Sequence, residues 1–420
     1  MIHTIALRPG ITLRCFPDNR FKQSCLSLQF VRPMRGEEAS LNALLPAVLL
    51  RGTKKRPDLR AIVLRLDDLY GASVGTQVRR VGDYQTTGMY CSFIEDRYAL
   101  DGDAVLQPMV EFLEELLLEP VLEDGVFSRD FVESEKKNLT ATIEAQRNDK
   151  RAWASAQLLR TMCREDSFGI PRLGYAGDVT KITAQSLYDH YRRVLRESPV
   201  ELFYAGSGEP EAVAAMLKPL FAKIERNYVN LPAQTSFHDA GGKDVTERME
   251  VAQGKLCMGF VTDITLRDPR FVAMQLCNTI LGAGMISKLF VQIREKLSLC
   301  YDISSGYHGT KGILTVAAGI DCDKDELVRA QVLEQLNACV RGEITQQELI
   351  AGKEALYSSL RGTHDSAGAI ESYYSTAVLS GLGMTPEEYM RAAEKIQVAD
   401  VAAAAATLKL HSVYFLKGVQ

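Results

Sequence analysis

Long apolar runs are missing from this 420-residue chain. The longest, such as Ala43 to Leu50, fall far short of the ~20 residues that a membrane-spanning helix needs. Concentrated basic segments are missing too. The densest is Lys54-Lys55-Arg56, which reads as a solvated turn, and the net charge is −4 with an isoelectric point near 6.0. Nucleic-acid binding calls for a basic face, so neither nucleic acid nor membrane is an expected partner. The nine cysteines are scattered without a single Cys-x-x-Cys, which excludes a zinc ribbon and argues against a disulfide framework. Cys25, Cys91 and Cys257 lie in apolar alternating stretches and read as small buried hydrophobes. The first eight residues, Met1 to Arg8, have no basic stretch followed by an apolar one, so no signal peptide is expected. Phosphate loops are absent as well. Gly282-x-Gly284 lacks a later Gly, and Gly71-Ala72-Ser73 lacks the Lys-Ser/Thr such a loop needs. These absences point to a reduced, cytoplasmic protein.

What is present is an ordinary globular composition, 46% hydrophobic and 24% charged, with a length that suits two to three domains. Two related halves emerge from the patterns. Leu26, Leu28 and Phe30 alternate with polar or neutral neighbours, as Leu256, Met258 and Phe260 do. Such alternation puts one apolar face on a strand. Helical periodicity predicts helices at about 38–50, 58–70, Asp103 to Glu119 and Asp124 to about Gln146. A strand at about 85–95 has its mirror near 312–320. Ile182-Thr183 opens a helix with Thr183 as N-cap, as Ile396-Gln397 opens another. Strands Val200–Gly206 and Val413–Leu416 close the halves. Matching elements lie 214 residues apart (Ile182, Ile396) and 212 apart (Phe203, Phe415), a near-constant offset that argues for duplication. The expected fold is α+β: two tandem homologous domains, each a mainly antiparallel sheet with helices on one face. The predicted domains are 1–226 and 246–420. The stretch 227–245, with turn formers and no period, is the linker between them.

Leu45-Pro46-Ala47-Val48-Leu49-Leu50-Arg51-Gly52-Thr53 resembles the active-site helix of the pitrilysin/insulinase zinc peptidases. In active members that helix carries His-x-x-Glu-His ahead of a Lys/Arg-Gly-Thr ending. The chemistry requires those residues. Two imidazoles one turn apart hold Zn²⁺, and the glutamate takes a proton from metal-bound water. Aligned on Arg51-Gly52-Thr53, the motif falls on Ala43, Pro46 and Ala47, none of which offers a donor. The third ligand, a Glu on a later helix, falls near Thr142 in the segment Phe131 to Thr140 and beyond. Glu144 lies two residues away on a different face. His3, His190, His238, His308, His364 and His411 include no pair at i+3 or i+4. No metal site and no cofactor are therefore expected.

A second signature of the same family survives. Leu281-Gly282-Ala283-Gly284 to Phe290, then Val291 to Tyr301 with Arg294-Glu295-Lys296, resembles the family's glycine-rich turn, its following helix and a Leu-x-Tyr strand. In active members an Arg/Tyr pair here holds the substrate carbonyl. By that resemblance Arg294 and Tyr301 are candidate substrate-binding residues, two donors suited to a peptide oxygen. The plain alternative is a surface Arg and an ordinary strand aromatic.

The resemblance covers nearly the whole chain and implies LuxS/metallopeptidase-like halves. Half-length members pair into a closed chamber in which one subunit brings zinc and the other only the Arg/Tyr pair. The expected function is thus a non-catalytic subunit of a heterodimeric zinc metallopeptidase. Its partner would be a zinc-bearing paralogue and its ligand a peptide, with a homodimer possible without that partner. The alternatives are a structural or assembly subunit with no proteolytic role, or an active peptidase with unrecognised metal ligands.

Overall fold

A computed structural model describes residues 2–231 and 237–419. Residues 232–236, inside the stretch read as a linker, lie outside the described residues. The chain folds into two compact units. One gathers Met1–Glu144, Ile170–Ala233 and His364–Thr376. The other gathers Ala145–Gly169, Gln234–Thr363 and Ala377–Gln420. Each unit thus contains a segment from the other half of the sequence, an arrangement that contiguous boundaries do not describe.

The first half runs β1 (His3–Arg8), β2 (Ile11–Pro17), β3 (Gln23–Pro33), α1 (Gly36–Leu49), α2 (Leu59–Asp68), β4 (Ser73–Val81) and β5 (Tyr84–Ile94). It continues with α3 (Leu106–Leu118), β6 (Leu122–Glu123), β7 (Val126–Phe127), α4 (Arg129–Ala145), α5 (Lys150–Met162) and α6 (Ala176–Val179). It ends with α7 (Ala184–Glu197), β8 (Val200–Gly206) and α8 (Pro210–Ala222). The second half runs β9 (Asp244–Met249), β10 (Gly254–Val261), α9 (Phe271–Asn278), β11 (Cys300–His308), β12 (Ile313–Ile320) and α10 (Asp325–Val340). Then come α11 (Gln346–Arg361), α12 (Ala367–Ser380), α13 (Pro386–Lys395), α14 (Val398–Ala405) and β13 (Lys409–Gly418).

The duplication is visible in the sheets. One has the order β1-β2-β8-β3-β5-β4 and the other β11-β12-β10-β13-β9. Read from opposite ends, β2-β8-β3-β5-β4 matches β9-β13-β10-β12-β11. The single parallel pair of each sheet falls at the matching place, β2 with β8 and β9 with β13; the other pairs are antiparallel. Strand β9 begins at Asp244, inside the predicted linker. The helix predicted from Asp124 starts only at Arg129, because Asp124 and Gly125, both at positive φ, turn the small β6–β7 hairpin first.

Strand periodicity explains the packing. Leu26, Leu28 and Phe30 of β3 enter a core with Leu45 and Val48 of α1, Leu113 of α3, and Leu187 and Val194 of α7. Each such side chain, once fully buried, contributes roughly 1.5–3 kcal/mol. Thr183 caps α7 as predicted, its hydroxyl accepting from Ser186 N–H at 3.1 Å in a reciprocal capping box. The opposite face of β3 carries Ser27 and Gln29 and receives one further helix, α12, whose Glu371 is 2% exposed. Glu371 accepts from Ser27 Oγ at 2.7 Å, from Gln29 Nε2 at 2.9 Å and from Arg79 of β4 at 2.8 Å. The second unit repeats this plan with apolar chemistry. Ala154, Leu158 and Met162 of α5 cluster with Cys257, Ile313, Tyr414 and Leu416. Gly259 admits Met162 there, since a Cβ at 259 would lie 2.1 Å from its sulfur.

Glu371→Ala strands Arg79, Ser27 and Gln29 against the sheet without their acceptor. Removing one member of a buried ion pair costs on the order of 3 kcal/mol, so urea unfolding of the variant is expected to show a clearly lower midpoint, with Glu371→Gln between it and wild type.

Candidate functional site

Helix α1 holds all three positions of the lost zinc motif. Ala43 is 7% exposed, Pro46 is buried inside the helix and Ala47 is partly buried. Thr142 is exposed on α4, and its hydroxyl donates to the Asn138 carbonyl one turn back, at 2.8 Å. Glu144 is likewise exposed. Zinc needs three protein donors at one point, and these four positions supply none but a hydroxyl already engaged. Among the described residues no group of three His, Cys, Asp or Glu side chains is placed to hold a metal. The residues do not fit the ion.

Something else fixes α1 in place. Pro46 has no N–H, so the carbonyl of Asn42, four residues earlier, loses its helical donor. Thr87 of β5 supplies the replacement, its hydroxyl donating to that carbonyl at 2.6 Å. The Asn42 side chain is fully buried and extends the knot. Its Nδ2 donates to Gln85 Oε1 at 2.8 Å, and its Oδ1 lies 2.7 Å from His190 Nε2 on α7. An amide oxygen only accepts, so Nε2 carries the proton, and Nδ1 is left to accept from Arg193 at 2.9 Å. Burial, then the charges of Arg193 and Arg32, push the His190 pKa down to about 3. Arg32 is paired in turn with Glu38 of α1 at 2.8 Å, and Arg193 lies 3.5 Å from the same carboxylate. His190, which sequence reasoning set aside with the other histidines, is a satisfied core group that braces the altered helix. The one local signal of this knot was Pro46, since a proline inside a helix announces an orphaned carbonyl four residues before, here the one Thr87 satisfies.

The tripeptide that anchored the alignment survives for structural reasons. Arg51 reaches Glu135 of α4 at 3.2 Å and stacks over Phe131. Gly52 lies so close to the backbone at Pro57 that a Cβ would sit 2.7 Å from its carbonyl oxygen. Thr53 donates to Glu115 of α3, which also pairs with Arg56. The end of α1 is thereby tied to α3 and α4 with or without a metal.

Arg294 and Tyr301 lie in the second unit, within an irregular stretch of backbone. Residues Leu289–Lys296 wind as a π-helix, with Leu297 N–H bonded to the Gln292 carbonyl. Ser298 follows in the left-handed region at φ 50°. Strand β11 then pairs Cys300 with Ile320 and Asp302 with Gly319, leaving Tyr301 as the extra residue of a bulge. Bulges re-aim side chains, and here Tyr301 is 61% exposed. Its hydroxyl donates to Asp321 at 3.0 Å, which raises the phenol pKa above its ordinary value. Arg294 stacks on Phe290 with its guanidinium 4.6 Å from the ring centre, and lies 3.8 Å from Glu295. Its charge reaches Cys300, where it opposes the burial that raises that thiol to about 11. The half-buried guanidinium and the exposed phenol are each a donor suited to a carbonyl or carboxylate oxygen.

Residues 181–356 match the family model described as "Peptidase M16 inactive domain". Over 98% of its length the chain is similar to the "Probable inactive metalloprotease YmfF" of Bacillus subtilis strain 168, at 28% identity and covering 96% of that protein. Residues 181–356 thus match the M16 inactive domain, and the chain as a whole is similar to a probable inactive metalloprotease. More distant relatives include an "Uncharacterized zinc protease" of Rickettsia felis, 22% identical over 68% of this chain and 69% of the relative. Among solved structures, a conserved protein from Enterococcus faecalis V583 superposes with a TM-score of 0.92 at 27% identity, covering 100% of this chain and 99% of the other. A "peptidase M16 inactive domain" from Pseudomonas fluorescens shares the fold, with a TM-score of 0.82 at 19% identity over 100% and 98% of the two chains. The chain is an inactive metalloprotease-like protein by these similarities, and its zinc positions carry no set of metal ligands. No helix of the described residues is long and apolar enough to cross a membrane.

Elemental analysis of the purified homologue, dialysed against metal-free buffer, is expected to give zinc near zero per chain. A pH experiment tests the knot. The His190 pKa is lowered in the folded state, so the neutral ring's contribution to stability is complete above the unfolded value near 6.5. It is lost as pH falls from there toward 3, because the unfolded chain binds the proton first. In that window one such proton contributes a slope of about 1.4 kcal/mol per pH unit, and stability curves of His190→Gln are expected to fall less steeply than wild type by up to that amount.

Proposed function

We propose that the chain is the non-catalytic subunit of a heterodimeric zinc peptidase, forming part of a chamber and presenting Arg294 and Tyr301 to a peptide. The observation that carries this reading is the contrast between two signatures of one family. The zinc positions hold Ala43, Pro46, Ala47 and Thr142, while Arg294 and Tyr301 stay on the surface in a strained, bulged setting that buries neither. Chemistry would come from a zinc-bearing paralogue. This chain's part is to hold: the guanidinium fork and the phenol donate to a carbonyl oxygen of the extended substrate and favour the charge that develops on it.

A second reading is a structural subunit without a proteolytic role. Internal engagement of both groups, Tyr301 with Asp321 and Arg294 with Phe290, is what such a role would leave behind. A chain of "Complex III2 from Candida albicans" shares the fold, with a TM-score of 0.75 at 16% identity. Turnover of an unstructured peptide by the reconstituted pair separates the readings. Arg294→Ala or Tyr301→Phe is expected to lower kcat/KM by about 100-fold, the usual scale for one donor to a developing oxyanion. Unchanged turnover would leave only the structural reading.

A further inference from the structure

The Tyr301 hydroxyl has one proton, and Asp321 has it. The phenol donates to Asp321 Oδ1 at 3.0 Å, and Lys324 holds the other carboxylate oxygen at 2.7 Å. Asp321 directly follows β12, whose last residue, Ile320, pairs with Cys300; the bulge at Tyr301 therefore brings ring and carboxylate together across the hairpin. The aspartate side chain is 41% exposed and the tyrosine lies largely in solvent. Neither position is held by core packing, and this hydrogen bond decides where the hydroxyl points.

We propose that Asp321 is a positioning residue that competes with peptide for Tyr301: it holds the hydroxyl proton in the free protein, and a peptide carbonyl must displace it. This rests on the reading of Arg294 and Tyr301 as the peptide-binding pair. A carbonyl oxygen and a carboxylate both only accept, so a single phenolic proton cannot serve both at full strength. The carboxylate is the stronger acceptor because it is charged. While the contact lasts, the pair offers peptide only the arginine fork. The geometry supports a second consequence. Ser298 at positive φ and the bulge together fix the Tyr301 backbone, so freeing the hydroxyl requires only rotation of the side chain and no movement of the strand.

The test is binding of a fluorescein-labelled, unstructured peptide to the full chain, followed by anisotropy, for wild type, Asp321→Ala, Tyr301→Phe, Arg294→Ala and the Tyr301→Phe/Asp321→Ala double variant. Asp321→Ala is expected to bind about 3- to 10-fold tighter, the scale of one exposed hydrogen bond released for use. The gain should vanish in the double variant, which lacks the proton at issue. A structural role for Asp321 would not give that dependence on the phenol. If Asp321→Ala binds like wild type or more weakly while Tyr301→Phe and Arg294→Ala lose affinity, the competition is overturned and the pair stands. If wild type and Asp321→Ala both fail to bind, or no variant differs, the competition and the pair fall together.

Discussion

Asn42 is held at three atoms, and the seating of α1 depends on all of them. Its carbonyl goes to Thr87, its amide nitrogen to Gln85 and its amide oxygen to His190. Two neighbouring elements, β5 and α7, are thereby pinned to the helix that in active relatives would bear the metal. Such networks sit in a low dielectric, where each satisfied bond is strong and each missing one is costly. The helix is thus seated by hydrogen bonds to its neighbours. At the C-terminal end of α1 the Arg51-Gly52-Thr53 tripeptide performs the same task through Glu135 and Glu115. A signature that looks catalytic in the sequence is, in the fold, largely mechanical.

The two units apply one plan with different chemistry. Each sheet packs one face on the helices of its own half and takes an additional helix on the other. Against β3 and β4 that helix meets Ser27, Gln29 and Arg79 through Glu371; against β10 and β13 it meets Cys257, Tyr414 and Leu416 through Leu158 and Met162. The first dock is directional and demands a matched set of polar partners, whereas the second tolerates any apolar set of similar volume. Duplication preserved the strand order and allowed the docking chemistry to diverge.

Much of this was legible in the sequence because it is periodic. Leu26, Leu28 and Phe30, with Leu256, Met258 and Phe260, announced equivalent strands, and Thr183 announced its helix; a period of two and a capping hydroxyl are local properties. What escaped was non-local or irregular. That α5 and α12 each join the unit of the other half follows from tertiary packing, which no local pattern encodes. Strands β1, β4 and β9 are short or carry mixed patterns, and β9 starts within the last residues of the apparent linker. In the candidate site, Arg294 and Tyr301 were found only through the surrounding motif. The π-helix, Ser298 and the bulge that present them have no composition of their own, and Asp321 sits twenty residues from the tyrosine it binds. The role of His190 was not legible because Asn42, which accepts from its Nε2, lies on another helix 148 residues away.

Pro46 also bears on what this helix can carry. It lines an apolar crevice with Leu28, Phe30, Leu49, Met89, Leu113 and Leu117. A glutamate placed at this position would set a carboxylate among hydrocarbon side chains, and histidines placed at 43 and 47 would have no third ligand near Thr142. Position 46 is thereby closed to a carboxylate by its surroundings as well as by the proline itself, so a metal-activating acid would have to come from outside this helix.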